Sequence, residues 1–120
     1  MTDSKELGRE GEDRARAWLR NKGYEILETN WRCHFGEIDI IAREGKMLVV
    51  IEVKARQTAM FGNPELAVNR KKQKNIIRMA DLYIRIKKLD LEVRFDIISV
   101  IINGEECTIS HIPDAFYPTL

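Results

Sequence analysis

Cysteine is scarce in this 120-residue chain: Cys33 and Cys107 stand alone, and neither belongs to a CxxC pair. That leaves a disulfide framework or a zinc site with little support, and both thiols read as buried or idle. Long apolar runs are missing as well; nothing approaches the roughly 20 residues of a membrane span. The opening Met-Thr-Asp-Ser-Lys-Glu is the reverse of a signal peptide, so the expected location is cytoplasmic, with no membrane partner. Charge of one sign is also absent, because 20 Lys+Arg face 19 Asp+Glu for a net charge of +1. Bulk attraction to a polyanion is thereby excluded, and any nucleic-acid contact has to come from a local patch. The two histidines, His34 and His111, share no ligand spacing with each other or with a cysteine and are assigned no catalytic role. His34 lies close enough in sequence to the acidic strand described below to leave a phosphate contact open.

What is present is a chain 44% hydrophobic and 32% charged, with no internal repeat at a solenoid period. At this length it buries roughly two-thirds of its unfolded surface, which suits one core and a single domain over residues 1–120. Asp3 or Ser4 can cap a helix from about Lys5 to Asn21, with Leu7, Gly11, Ala15, Trp18 and Leu19 at helical spacing and Gly23 as a stop. Tyr24 to Trp31 reads as a strand. Glu37 to Arg43 and Lys46 to Arg56 are β-rich runs joined through Glu44-Gly45, the best hairpin signal in the chain. Gln57 to Pro64 reads as a loop and Glu65 to Lys88 as a long second helix. Leu91 to Ile102 is apolar enough for an inner strand, followed through Asn103-Gly104 by a last strand near Thr108 to Ile112 and a tail from Pro113 to Leu120. The predicted fold is α/β: a mixed sheet flanked by helices, in the order αβββαββ, with the second helix crossing over between strands three and four.

The hairpin register decides which side chains meet. With Glu44 and Gly45 as the turn, Arg43 pairs with Lys46, Asp39 stands opposite Val50, and Glu37 stands opposite Glu52. Asp39 and Glu52 are then diagonal neighbours on one face, with Lys54 pointing the same way. Ile38, Ile40, Ala42, Met47, Val49, Ile51 and Val53 form the opposite, core face. Diagonal Cβ atoms lie about 7 to 8 Å apart, a gap that two inward-leaning carboxylates can close around one divalent ion. For an isolated E-x-K the ordinary reading is a cross-strand ion pair of Lys54 with Glu52 or Glu37. Asp39 changes that, because Glu37, Asp39 and Glu52 around one lysine repel unless a cation joins them, and oxygen-only ligation selects Mg²⁺ or Mn²⁺. Such an ion polarises a phosphodiester oxygen and acidifies a bound water. A neighbouring lysine can orient that water or stabilise the transition state, which points to metal-assisted phosphodiester hydrolysis.

Gly36-Glu37-Ile38-Asp39 followed by Ile51-Glu52-Val53-Lys54 resembles the PD-(D/E)xK nuclease signature, with Ile38 in place of the proline. Gly8-Arg9-Glu10-Gly11-Glu12 resembles the GxxGE entry to the first helix of the uncharacterised bacterial YraN-type family of predicted endonucleases. The resemblance extends through Lys72-Gln73 to Arg94-Phe95-Asp96. It implies a restriction-endonuclease-like fold related to archaeal Holliday-junction resolvases. It also implies metal ligation by Asp39 and Glu52, Lys54 as the catalytic lysine, and Glu12 as an additional catalytic acid from the helix. Since related resolvases cut paired strands as dimers, a homodimer is a further expectation.

Glu12, near the apolar edge formed by Ala15 and Leu19, reads otherwise as a solvated helical acid. Arg70, Lys71, Lys72, Lys74 and Arg78 form the densest basic cluster, with Arg70, Lys74 and Arg78 at i, i+4, i+8 as a stripe that suits nucleic-acid backbone or plain solvent. Lys72 and Gln73 read either as part of that nucleic-acid-binding set or as facing the site. Trp18 and Trp31 fit core packing better than base stacking, and Phe61 is the better aromatic candidate for nucleic-acid contact. The expected activity is Mg²⁺- or Mn²⁺-dependent hydrolysis of DNA, branched or processed DNA among the candidates. A non-catalytic DNA-binding or scaffold protein is the alternative, and phosphodiester chemistry alone leaves RNA open.

Overall fold

In the computed structural model, residues 3–58 and 68–118 are described. The element order is α1 (Ser4–Asn21), β1 (Glu25–Cys33), β2 (Gly36–Glu44), β3 (Met47–Arg56), α2 (Arg70–Lys87), β4 (Glu92–Asn103) and β5 (Glu106–Phe116). The strands form one sheet in spatial order β1-β2-β3-β4-β5, antiparallel throughout except for the parallel pair β3–β4 that α2 connects. The αβββαββ order and the crossover are as the sequence predicts.

Helix α1 starts where the Asp3 side chain accepts from the Lys5 N–H (2.9 Å), satisfying one of the amides that a helix start leaves unpaired. Gly11, Ala15 and Leu19 are its buried stripe. The stripe rests on one face of the sheet with Ile40, Ala42, Val49, Ile51, Ile98, Val100 and Ile102. The other face carries α2 through Ile76, Met79, Ala80 and Tyr83, packed on Ile41, Leu48, Val50, Phe95 and Ile97. The central strands are therefore buried on both faces, which explains why β4 reads as a nearly continuous apolar run.

Four expectations need correcting. The hairpin turn is Gly45-Lys46, not Glu44-Gly45, and Glu44 pairs with Met47. Gly45 has φ 59° and Lys46 is not among the positive-φ residues, the pattern of a II′ turn, which wants glycine at its first central position. This moves each residue's partner along by two, and pairing stops at Ile40↔Ile51, so Asp39 and Glu52 lie just beyond the last paired residues rather than as diagonal neighbours within the ladder. Ile38 joins the α2-side core, not the face of Ile40, because alternation in β2 breaks where pairing with β3 stops after Ile40↔Ile51. Helix α2 begins at Arg70, since the Asn69 side chain caps it by accepting from the Lys72 N–H (2.9 Å). Of the predicted start, residues 65–67 lie outside the described residues, as do most of the predicted loop and Phe61. Finally, β5 continues through Pro113 to Phe116, where the Phe95 and Phe116 rings stack at 5.2 Å. Proline reads as a strand end, yet on an edge strand its missing N–H costs no ladder bond.

Gly11 is where α1 comes closest to β3: a Cβ there would lie 2.5 Å from the Ala55 Cβ, whereas Gly8, one turn earlier, has nothing within 4 Å. Gly8→Ala should therefore stabilise by roughly 0.5–1 kcal/mol through helix propensity. Gly11→Ala should lose about 1–3 kcal/mol to overpacking, and pairing it with Ala55→Gly should recover most of that loss. Urea denaturation of the three variants beside the wild type measures these signs; equal effects at the two glycines would refute the close approach.

Candidate active site

Strands β2 and β3 pair from Glu44↔Met47 to Ile40↔Ile51 and then part, while β3 runs on beside β4 as far as Arg56↔Ile101. At this fork the Val53 N–H donates to Asp39 Oδ2 (2.8 Å), so a side-chain carboxylate takes the place of a ladder carbonyl. Glu52, the next residue toward the hairpin turn, is only 3% exposed. Its Oε2 lies 2.8 Å from Lys72 Nζ, so the first turn of α2 contributes directly to the fork. Lys54 is half-buried beside Lys72. Glu12 of α1 lies close enough to bear on the charge of Asp39. Asp39, Glu52, Lys54 and Glu12 are therefore brought together by α1 and the hairpin, with Lys72 added by α2.

The electrostatics are those of a crowded acid pair. Burial pushes the Asp39 carboxyl up, the Glu52 charge pushes it further, and the Val53 hydrogen bond and Lys72 only partly offset this, so it sits at about 7. Burial and then Glu37 raise Glu12, against the pull of Arg16 and Asn30. Burial lowers the Lys54 ammonium, the neighbouring Lys72 lowers it again, and Glu52 and Asp39 restore only part. Burial lowers Lys72 as well, but its hydrogen bond to Glu52, the Glu52 charge, its contact with Lys54 and the Asp39 charge together raise it.

Two sequence readings change here. The partner of Glu52 is Lys72 rather than Lys54, because Lys72 extends down onto Glu52 from the helix above the fork. Glu37 is not opposite Glu52: it pairs with Arg32 (3.1 Å) and belongs with Glu12. With its amide oriented to satisfy its neighbours, Asn30 donates to both Glu37 Oε1 (2.6 Å) and Glu12 Oε1 (2.7 Å). Asn30 was not visible as a contributor in the sequence. Its signal is conformational, a positive φ of 53° of the kind asparagine tolerates.

Of the remaining basic candidates, Arg70, Lys71, Lys74 and Arg78 are exposed, and Arg78 also lies over the Phe35 ring at 5.9 Å. Gln73 is half-buried and donates to the Val68 carbonyl (2.9 Å), which braces the start of α2. Trp31 packs edge-on to Tyr83 in the α2-side core, and Trp18 packs against the α1-side core. Both are packing residues. His34 rests against Phe35, and His111 binds the fully buried Asp96 (2.7 Å), which leaves it no part in the fork. Cys33 and Cys107 are free thiols.

A carboxyl held at about 7 gives the stability a definite pH dependence. Because its folded value is above its unfolded one, the folded protein binds this proton more tightly. The destabilisation from the Asp39 charge is complete above pH 7, falls away as the pH drops, and is gone below about 4. In EDTA at pH 8, Asp39→Asn should thus be neutral or stabilising, since its amide oxygen still accepts from Val53, and this advantage should vanish by pH 4. Asp39→Ala should cost about 1–3 kcal/mol by leaving the Val53 N–H without its acceptor. Thermal melts across pH decide it; destabilisation by Asp39→Asn at pH 8 would mean a structural ion pair instead.

Residues 11–100 match the uncharacterised protein family UPF0102. A UPF0102 protein of Phocaeicola vulgatus is 48% identical over 120 residues, spanning 100% of this chain and 99% of its own. One from Syntrophus aciditrophicus is 46% identical over 117 residues, spanning 97% and 92%. One from Thermodesulfovibrio yellowstonii is 48% identical over 112 residues, spanning 93% and 96%. Matched along nearly its full length by proteins of that one description, and by the family's own sequence pattern, the chain belongs to the UPF0102 family.

Proposed function

We propose that this protein is a divalent-metal-dependent nuclease of the PD-(D/E)xK class, with a restriction-endonuclease-like fold, that hydrolyses DNA phosphodiester bonds. The observation that carries the reading is the fork itself: the half-buried carboxylate of Asp39 lies close enough to feel the charge of the buried Glu52, with two lysines beside them. A purely structural ion pair gains nothing from an acid kept at about 7. A site arranged for a cation does, because the repulsion is relieved when the cation arrives.

The donor set fits a hard ion. Among the described residues no three His, Cys, Asp or Glu side chains gather into a metal-holding group, so Asp39 and Glu52 would hold the ion as a pair. Mg²⁺ suits that arrangement, since it keeps several waters and is commonly held by one or two carboxylates plus substrate phosphates. When bound, such an ion supplies Lewis-acid polarisation of the phosphodiester and a more acidic water. Lys54, with its lowered ammonium, serves to orient the attacking water and to balance charge on the phosphoryl oxygens. Asn30 ties Glu12 to Glu37 on the α1 side of the fork.

Helix α2 supports a nucleic-acid partner. Its first turn contains no acid and begins Arg70, Lys71, Lys72, although the helix dipole favours negative charge at that end. Cations gathered there against their own helix are stabilised by an external anion, and the exposed stripe of Arg70, Lys74 and Arg78 continues along the helix as a track for backbone phosphates.

A screen of branched, flapped, single-stranded and duplex DNA, with RNA counterparts, should show cleavage that requires Mg²⁺ or Mn²⁺. Asp39→Ala, Glu52→Ala and Lys54→Ala should each abolish it, by about 10²-fold or more. Cleavage at the wild-type rate in all three would place the chemistry elsewhere, and binding without cleavage of any substrate would favour the non-catalytic alternative. Separately, Lys74→Gln and Arg78→Gln should weaken binding to all DNA sequences alike. Each should also flatten the log-log salt dependence by up to about one unit per lost phosphate contact. Unchanged slopes in fluorescence-anisotropy titrations would return the stripe to ordinary solvated surface.

A further inference from the structure

Glu52 is a carboxylate with almost no access to water, and burial of such a charge demands a cation close by. Lys54, on the same strand and the same side, is not the partner. Lys72 is, reaching down from α2 to bring its Nζ within 2.8 Å of Glu52 Oε2. The Lys72 side chain is itself 42% exposed, so it is tethered at its tip while part of its stem is open to solvent. Its backbone position gives it no other hold, because it sits in the first turn of α2, where the dipole repels a cation and Arg70 and Lys71 add to the repulsion. Lys72 is therefore held in place chiefly by Glu52.

A divalent ion between Asp39 and Glu52 needs a Glu52 oxygen and brings the positive charge that Lys72 now provides. Two cations on one carboxylate repel, and only one of them is on a flexible, half-exposed stem. On the reading of the fork as a metal site, we infer that Lys72 is a resident counter-ion that metal binding displaces from Glu52. In the metal-free protein it pairs with the buried carboxylate and positions it. On loading it leaves, and its ammonium is free to hold a phosphate oxygen of the substrate. Metal and nucleic acid then bind with positive linkage, since each favours the state in which Lys72 has left Glu52.

Manganese titrations followed by electron paramagnetic resonance, which counts free Mn²⁺ without any turnover, test this. Lys72→Gln should bind Mn²⁺ about tenfold or more tightly than the wild type, because the competitor is gone. Lys72→Met should do the same should the glutamine variant fold poorly, Lys72→Arg should stay near the wild type, and Lys74→Gln should change Kd less than about twofold as a measure of general charge. Melting in EDTA should fall for Lys72→Gln, since Glu52 has lost its counter-ion. Lys72→Gln affinity equal to or weaker than the wild type, or a gain matched by Lys74→Gln or Lys72→Arg, overturns displacement and leaves the metal site standing. Absence of Mn²⁺ binding in every variant, or binding that Glu52→Gln leaves unchanged, overturns the metal site and displacement with it.

Discussion

The Asp39 carboxylate stands in for a main-chain carbonyl at the point where β2 and β3 separate, and the arrangement of the fork depends on that one substitution. A ladder that simply ended there would leave the Val53 amide unpaired; one that continued would close the gap in which Glu52 and Lys54 sit. By accepting the amide with a side chain, the protein keeps β3 straight beside β4 and lets β2 diverge. The bond also fixes the carboxylate itself. A buried acid beside a half-buried one is expensive in desolvation, and the fold meets that cost with Lys72 from one helix while Asn30 bonds Glu12 on the other side.

A second buried carboxylate shows what a purely structural acid looks like in the same molecule. Asp96, fully buried, accepts two bonds from Arg94 (2.9 and 2.8 Å), one from the Asp114 amide (3.0 Å), and meets His111 at 2.7 Å. Arg94 in turn reaches Tyr24 (2.7 Å) and Glu44 (3.4 Å), so the start of β1 and the end of β2 are tied to β4 and β5. Burial alone would raise Asp96, yet these donors outweigh it and hold the carboxyl below its ordinary value. Asp39 has one backbone donor and a negative neighbour, and moves the opposite way. The contrast between the two aspartates, one oversupplied with partners and one undersupplied, separates scaffold from site more sharply than burial does.

Much of this was legible in the chain. Element order followed from hydrophobic periodicity, and the closeness of Asp39 to Glu52 outlasted a misplaced turn because both lie at the end of the β2–β3 ladder. What failed was local competition between signals. The periodicity suggesting a helix from Glu65 overlooked the cap at Asn69, and Pro113 looked like an end because a sequence does not say which strands lie at an edge. The roles of Lys72 and Asn30 depend on which side chains three separate elements bring together, and no spacing rule within one element encodes that.

The parallel pairing of β3 and β4 sets the order in which the fork can come into being. Antiparallel partners can zip up from a tight turn, but a parallel partner must wait for its crossover to close a long loop, the slow kind of contact in folding. A chain emerging from synthesis can form the hairpin, and with it the acid pair, well before α2 docks. For that interval Glu52 has no Lys72, and its charge must be borne by solvent in an unfinished sheet. Docking of α2 therefore gives Glu52 its counter-ion in the same step that covers one face of the sheet. The nascent hairpin thus has an electrostatic reason to remain open to water until the crossover arrives.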